Sequence, residues 1–146
     1  MRTACAYLLL GFAMACGDPR PPDVAQVQIR SSGWTGTDIN VNRRGEGRFR
    51  VYEGPDDRTG TFSLSSQQFD RLLQRLEPFR REAEPVTNES VRELIERRCP
   101  EGVPFTTDSG AVWIRWIGPG SDQHYLADLG CDAERHAGRN RELQSI

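Results

Sequence analysis

Residues 63–79 read SLSSQQFDRLLQRLEPF, a stretch that combines a helix start signal with one apolar helix face. Ser65 and Gln68 have the spacing of a capping box, in which each side chain accepts a hydrogen bond from the other residue's backbone N–H. Leu64 and Phe69 flank the box as a hydrophobic staple. Apolar residues then recur at helical spacing, at Phe69, Leu72, Leu73, Leu76 and Phe79. The stretch predicts an amphipathic helix buried on one side, which Pro78 bends or ends near its last turn.

The residues before this helix alternate between apolar and polar side chains, which is typical of half-buried strands. Residues 24–30 form a first predicted strand, and residues 38–52 read as a hairpin. Pairing Val41 with Phe49 would place the apolar side chains of both hairpin strands on one face, with residues 43–47 as the loop.

A second strand group is predicted after the helix, at residues 111–117 and 124–129, with residues 118–123 as the connection. Pairing Ile114 with Ala127 gives one fully apolar face, which we expect to be core. The opposite face of this pair carries Trp113, Arg115, Ile117, His124, Leu126 and Asp128.

Two further helices are expected. One covers Asn88 to Arg98, and the other begins at Asp132. In the first of these helices we expect Val91, Leu94 and Ile95 to face inward. In the second helix, Leu143 and Ile146 are the apolar residues near its C-terminal end. The pattern therefore predicts an α+β fold, in which an antiparallel sheet of two strand groups packs on an amphipathic helix, with one or two further short helices. We expect residues 24–146 to form a single domain.

The composition is that of a soluble globular chain: 146 residues, of which 36% are hydrophobic. All 19 cationic side chains are Arg, and they are interspersed with 21 acidic residues. Because no basic patch stands out, we expect no nucleic-acid partner. We interpret the excess of Arg over Lys as the codon usage of a GC-rich genome, in preference to phosphate or nucleic-acid recognition.

The N-terminus has the pattern of an export signal. Arg2 precedes an apolar run over residues 4–15, which is too short to span a bilayer. The run ends in Ala13-Met14-Ala15-Cys16-Gly17, and small residues before a cysteine resemble the lipobox of bacterial lipoproteins, with Ala13 where that motif usually has Leu.

That resemblance implies a signal peptide over residues 1–15 and a lipid on the Cys16 thiol. Residues 16–23 are rich in Pro and polar side chains and would form the tether. The expected location is the bacterial cell envelope, anchored in a membrane and facing the periplasm, and Gly17 after the cysteine favours the outer membrane. The alternative is an ordinary cleaved signal with an incidental cysteine.

Cys5 lies in the apolar run and needs no function. Cys99 and Cys131 remain as an even pair in an exported chain, for which a disulfide is the simplest prediction. A disulfide leaves neither cysteine available as a nucleophile or a zinc ligand. The two histidines, His124 and His136, have no metal-ligand spacing, so we expect no metal and no cofactor.

Residues 107–111 read TDSGA and are similar to the Asp-Ser-Gly-Ala of retroviral-type aspartic proteases. That family has apolar residues before the Asp, whereas this chain has Thr106 and Thr107. Asp-Ser-Gly is also favourable turn chemistry between two strands, so we interpret Asp108 as a turn residue and expect no catalytic residue in this chain. A small hydrolase using Asp108 is the minority hypothesis.

Two surfaces are candidates for binding a partner. Trp113, Arg115 and Ile117 lie on one face of the second strand group and are of the types found at interface cores. The alternative is that a helix covers this face and buries these side chains. Trp34 lies in a turn flanked by Gly33 and Gly36 and is the other candidate contact.

Ser32-Gly33-Trp34, the following strands and the capped helix loosely resemble emfourin-type protease inhibitors, which are small α+β proteins with a Gly-Gly-aromatic turn near the start. Ser32 replaces one of those glycines. We therefore expect a lipid-anchored envelope protein that acts as a binding module, with inhibition of an envelope hydrolase as its specific form. A structural envelope lipoprotein is a further alternative.

Overall fold

The computed structural model describes residues 24–53 and 56–146. The predicted signal peptide, Cys16 and the tether therefore lie outside the described residues. The α+β prediction is confirmed, because a seven-stranded antiparallel sheet and three helices account for this part of the chain. The strands are β1 (Gln26–Ser31), β2 (Thr35–Asn42), β3 (Glu46–Glu53), β4 (Asp56–Ser63), β5 (Glu84–Pro85), β6 (Ala111–Gly118) and β7 (Ser121–Asp128). The helices are α1 (Ser66–Arg80), α2 (Val91–Arg98) and α3 (Ala137–Gln144).

The strand order is β4-β3-β2-β1-β6-β7-β5, so β1 joins the two predicted strand groups into one sheet. Ile29 of β1 lies opposite Ile39 of β2 on one side and Ile114 of β6 on the other. The apolar side chains of these strands share one face, called here the inner face, which packs against α1 and the end of α3. The buried core includes Val27, Ile29, Val41, Phe69, Leu76, Phe79, Val112, Ile114, Trp116, Tyr125 and Leu143.

Helix α1 begins as the sequence predicts. The Ser65 backbone N–H donates to Gln68 Oε1 at 2.7 Å, and the Gln68 backbone N–H donates to Ser65 Oγ at 3.2 Å. Phe69, Leu76 and Phe79 are buried, as the apolar stripe indicates. Pro78 lies inside the last turn, and the helix ends at Arg80.

The predicted register was wrong by two residues in both hairpins, although the faces were correct because the side-chain period is two. Val41 lies opposite Gly47, since the Asn42 side chain accepts the backbone N–H of Glu46 and closes a shorter loop than predicted. Ile114 lies opposite Tyr125, because residues 119–120 alone form the turn. A Pro-Gly pair with φ +73° at Gly120 suits that tight turn.

Both later helices begin further along the chain than predicted. A second capping box, between Ser90 and Glu93, starts α2 at Val91 instead of Asn88. Val91 therefore occupies the first helical position and is 60% exposed, so its expected inward orientation was wrong. Residues 132–136 form turns before α3.

Cys99 and Cys131 form a disulfide, as predicted. Cys99 ends α2, and Cys131 follows β7 and pairs by a backbone bridge with Phe105. The disulfide therefore ties α2 to the strand that it packs on.

We expect Cys99→Ser with Cys131→Ser to lower the free energy of unfolding by about 3–4 kcal/mol, because the crosslink closes a loop with a sequence separation of 32 residues. Denaturant unfolding of the oxidised protein and of the double variant measures this difference. Equal midpoints would contradict the prediction.

Gly47 of β3 leaves room for an aromatic ring of the neighbouring strand β4. A Cβ at Gly47 would lie 2.2 Å from the Phe62 ring, which crosses over it from β4. We expect Gly47→Ala to cost roughly 1–3 kcal/mol of stability through overpacking.

The matched control is Gly138→Ala in α3, where a Cβ would meet no atom within 4 Å. That change should stabilise the protein by about 0.5–1 kcal/mol, since Ala favours a helix over Gly. Thermal or chemical unfolding of both variants makes the comparison, and equal effects would show that the ring contact over Gly47 is absent.

Candidate functional site

The face of the sheet opposite the core, called here the outer face, carries a cleft of about 370 Å³. This outer cleft lies where β1, β2 and β6 approach the start of α2. Its lining surface is mainly apolar, as in many ligand sites, although charged side chains such as Arg30, Asp38 and Glu89 also line it. Its lining includes Arg30, Asp38, Tyr52, Val91, Leu94 and Trp113.

Trp113 is held in the outer cleft by contacts from both neighbouring strands. Its indole N–H donates to Nδ1 of His124 at 3.1 Å. The Arg30 guanidinium carbon lies 5.2 Å from the Trp113 ring centroid, and the guanidinium also pairs with Asp38 at 3.2 Å. The three side chains meet because Arg30 of β1 is in register with Trp113 of β6 and with Asp38 of β2. The result is an aromatic–arginine–aspartate triad across three strands.

Helix α2 covers the β7 side of this face. Leu94 of α2 is buried there, together with Leu126 and His124. Arg98 fastens the helix to the sheet by donating to the carbonyl oxygen of Leu126 at 2.9 Å and to Glu84 at 3.0 Å. The helix thus leaves the β1–β6 side of the face open, and this opening is the outer cleft.

The four sequence-predicted contact residues do not form one surface. Trp113 lines the outer cleft, whereas Arg115 and Ile117 lie further along β6. Arg115 pairs with Asp122 at 2.6 Å, and Ile117 lies opposite Asp122 near the far end of the strand. Trp34 lies beyond the end of β1. Whether these residues bind a partner remains a prediction.

Sequence reasoning missed Arg30, Asp38 and Tyr52. These residues line the same cleft as Trp113 only because β1 pairs with β6, two strands separated by most of the chain. The alternating pattern indicates that Arg30 is on the outer face, but not that it lies beside Trp113.

The turn between β1 and β2 forms a second candidate surface. We call it the tip and define it by Gly33, Trp34, Asp108 and Gly110, which surround an open depression of about 510 Å³. Trp34 is 90% exposed. Its indole therefore offers a large apolar ring and one N–H donor for contact with another molecule.

Hydrogen bonds from backbone N–H groups hold the tip in place. The Ser32 N–H donates to the carbonyl oxygen of Ala111 at 2.9 Å, and the Ala111 N–H donates to Ser32 Oγ at 3.0 Å. The Leu129 N–H donates to the carbonyl oxygen of Gly110 at 2.9 Å. A Cβ at Gly110 would lie 2.0 Å from the Ser32 carbonyl oxygen, so only Gly permits this approach. Trp34 therefore projects from a fixed base.

Asp108 lies in an exposed turn before β6 with a left-handed φ of +60°, in agreement with the turn interpretation of residues 107–111. Ser109 Oγ donates to the carbonyl oxygen of Thr106 at 3.2 Å. In residues 24–53 and 56–146, no hydrogen bond or ion pair reaches the Asp108 carboxylate.

Across the described part of the chain, no three His, Cys, Asp or Glu side chains are grouped so that they could hold a metal ion. Among the same residues, no helix has the length and apolar character to cross a membrane. Comparison with protein-family models, with curated proteins and with solved structures finds no match to this chain.

His124 makes the Trp113 contact sensitive to pH. Burial lowers the pKa of His124 below its ordinary value of 6.5. Nδ1 accepts the Trp113 N–H and must therefore be unprotonated. The charged groups facing this imidazole have opposing effects: Glu84 and Glu89 raise its pKa, and Arg98 and Arg115 lower it.

A lowered pKa means that the unfolded state binds the proton more tightly than the folded state. The His124 contribution to stability is therefore fully present above pH 6.5 and is lost as the pH falls from 6.5 through the lower folded-state pKa. We expect His124→Gln to flatten the pH dependence of the unfolding midpoint in this window. His136→Gln is the matched control, because it removes the other histidine and keeps the contact between His124 and Trp113. A slope that persists in His124→Gln would contradict the assignment.

Proposed function

We propose that this chain is a lipid-anchored protein of the bacterial cell envelope that acts as a binding module, anchored through Cys16. Its partner is captured by the tip and by the neighbouring outer cleft. The specific form that we favour is an inhibitor of an envelope hydrolase. The observation that carries the proposal is Trp34, 90% exposed on a turn whose base is fixed by hydrogen bonds.

Trp is among the residues that contribute most to binding when they are buried at the centre of an interface. A projecting Trp on a mobile loop would lose much of that gain, because binding would have to order the loop. The bonds between Ser32 and Ala111 remove part of that cost in advance.

The position of the tip suits a membrane-anchored protein. The tether would join the sheet just before β1, where the Ala25 N–H donates to the carbonyl oxygen of Ile117. The tip lies at the other end of β1, about 20 Å away for a strand of this length. A domain anchored through Cys16 could therefore direct Trp34 away from the membrane, toward a partner.

The inhibitor form is supported by the resemblance to emfourin-type inhibitors and by the shape of the tip. Ser32-Gly33-Trp34 forms the β1–β2 turn, and the capped helix follows β4. The exposed Trp34 side chain could enter the substrate cleft of a hydrolase, while the outer cleft lies beside the tip and could contact the rim.

The binding proposal is tested with a photo-crosslinking amino acid at position 35, which is exposed next to Trp34. In intact cells we expect one envelope protein to be crosslinked, and we expect Trp34→Ala to abolish the product. The control position is 67, which is exposed on α1. Equal products from positions 35 and 67, or products that survive Trp34→Ala, would refute the proposal.

The inhibitor form has its own measurement. The crosslinked partner, once purified, should lose hydrolytic activity on titration with the wild-type protein and keep it with Trp34→Ala. A partner without hydrolase activity would leave the binding module in place and exclude the inhibitor.

The anchor is tested by metabolic labelling with a fatty acid. We expect Cys16→Ser to remove the label and to release the protein from the membrane fraction, whereas Cys5→Ser should change neither. Unchanged labelling and partitioning in Cys16→Ser would contradict the anchor.

A further inference from the structure

We propose that the tip binds an arginine side chain of its protein partner, whose guanidinium is held between the Trp34 indole and the Asp108 carboxylate. This inference rests on the proposed binding function and specifies the chemistry of the partner.

The outer face contains the same arrangement twice in complete form. In the first triad, the Arg30 guanidinium lies 5.2 Å from the Trp113 ring centroid and pairs with Asp38. In the second, the Arg50 guanidinium lies 4.5 Å from the Tyr52 ring centroid and donates through Nε to Asp57 at 2.9 Å. Each time, one arginine satisfies both an aromatic ring and an aspartate.

The tip has the aromatic ring and the aspartate but no arginine. Trp34 and Asp108 line the same depression, with only Gly33 and Gly110 completing it. Within the described residues, no cation pairs with Asp108, whereas Asp38, Asp57 and Asp122 each pair with an Arg. A cation from another molecule would complete a third triad.

The chemistry favours Arg over Lys. A guanidinium can lie flat on an indole and donate two parallel hydrogen bonds to a carboxylate, which an ammonium group cannot do. The two glycines have no side chain to obstruct a planar group that approaches between Trp34 and Asp108. Trp34 and Asp108 both line this depression, and hydrogen bonds between Ser32 and Ala111 hold together the two segments that carry them.

The experiment uses the intact chain purified from the envelope, with two tripeptide probes, acetyl-Gly-Arg-Gly-amide and its citrulline analogue. Citrulline has nearly the same shape as Arg but no charge. NMR spectra report the indole N–H of Trp34 and the amides of Gly33 and Gly110 during titration. We expect the arginine peptide to shift these signals with at least tenfold higher affinity than the citrulline peptide.

Asp108→Asn should weaken binding of the arginine peptide by at least tenfold, and Trp34→Ala should abolish it. Asn tolerates a left-handed backbone, so the turn should be preserved. The matched control is Glu101→Gln, which removes an exposed carboxylate from the same connection between α2 and β6 and should leave the affinity unchanged. Equal affinity for both peptides, or equal losses in Asp108→Asn and Glu101→Gln, would overturn the inference.

The two proposals can fail separately. A crosslinked partner at position 35 that depends on Trp34 but not on Asp108 would preserve the binding module and overturn the arginine site. Arginine binding at the tip without any crosslinked partner would preserve the arginine site and overturn the binding module.

Discussion

The pairing of β1 with both β2 and β6 is the constraint on which the rest of the structure depends. It joins the N-terminal strands to the C-terminal pair and closes the inner face over α1, because Val27 and Ile29 contribute to both halves of the core. On the outer face the same pairing brings Arg30 between Trp113 and Asp38. At the end of β1 it places Ser32 beside Ala111, which fixes the base of the tip. Core, cleft and tip therefore share one set of backbone contacts.

Much of the fold was predictable from local patterns. The capping box at Ser65, the apolar stripe of α1 and the two faces of each strand follow from the spacing of residues that are near one another in sequence. The Cys99–Cys131 disulfide followed from an even cysteine count in a chain with an export pattern. The strand registers were harder to predict, because a shift of two residues leaves every side chain on its correct face. Only the length and conformation of the turn decide between such alternatives.

The candidate sites were only partly predictable, and the reason is sequence separation. Trp34 and Trp113 stand out as aromatic residues at a turn and on a polar strand face. Asp108 was predicted to be a turn residue, and its position beside Trp34 depends on the approach of Gly110 to Ser32. No periodicity in the sequence reports such a contact between distant segments. The residues of both candidate surfaces are therefore ones that the β1–β6 pairing brings together.

The central claim is that the sheet holds the tip fixed, and amide hydrogen exchange of the native protein tests it most directly. The amides of Ser32 and Leu129 donate to backbone carbonyls at the base of the tip, and the amide of Trp34 serves as the internal reference. We predict that the amides of Ser32 and Leu129 exchange slowly, at rates approaching those of the β1 interior, while the amide of Trp34 exchanges rapidly. Exchange of Ser32 and Leu129 at the rate of Trp34 would show that the tip is not held by the sheet and would contradict the account.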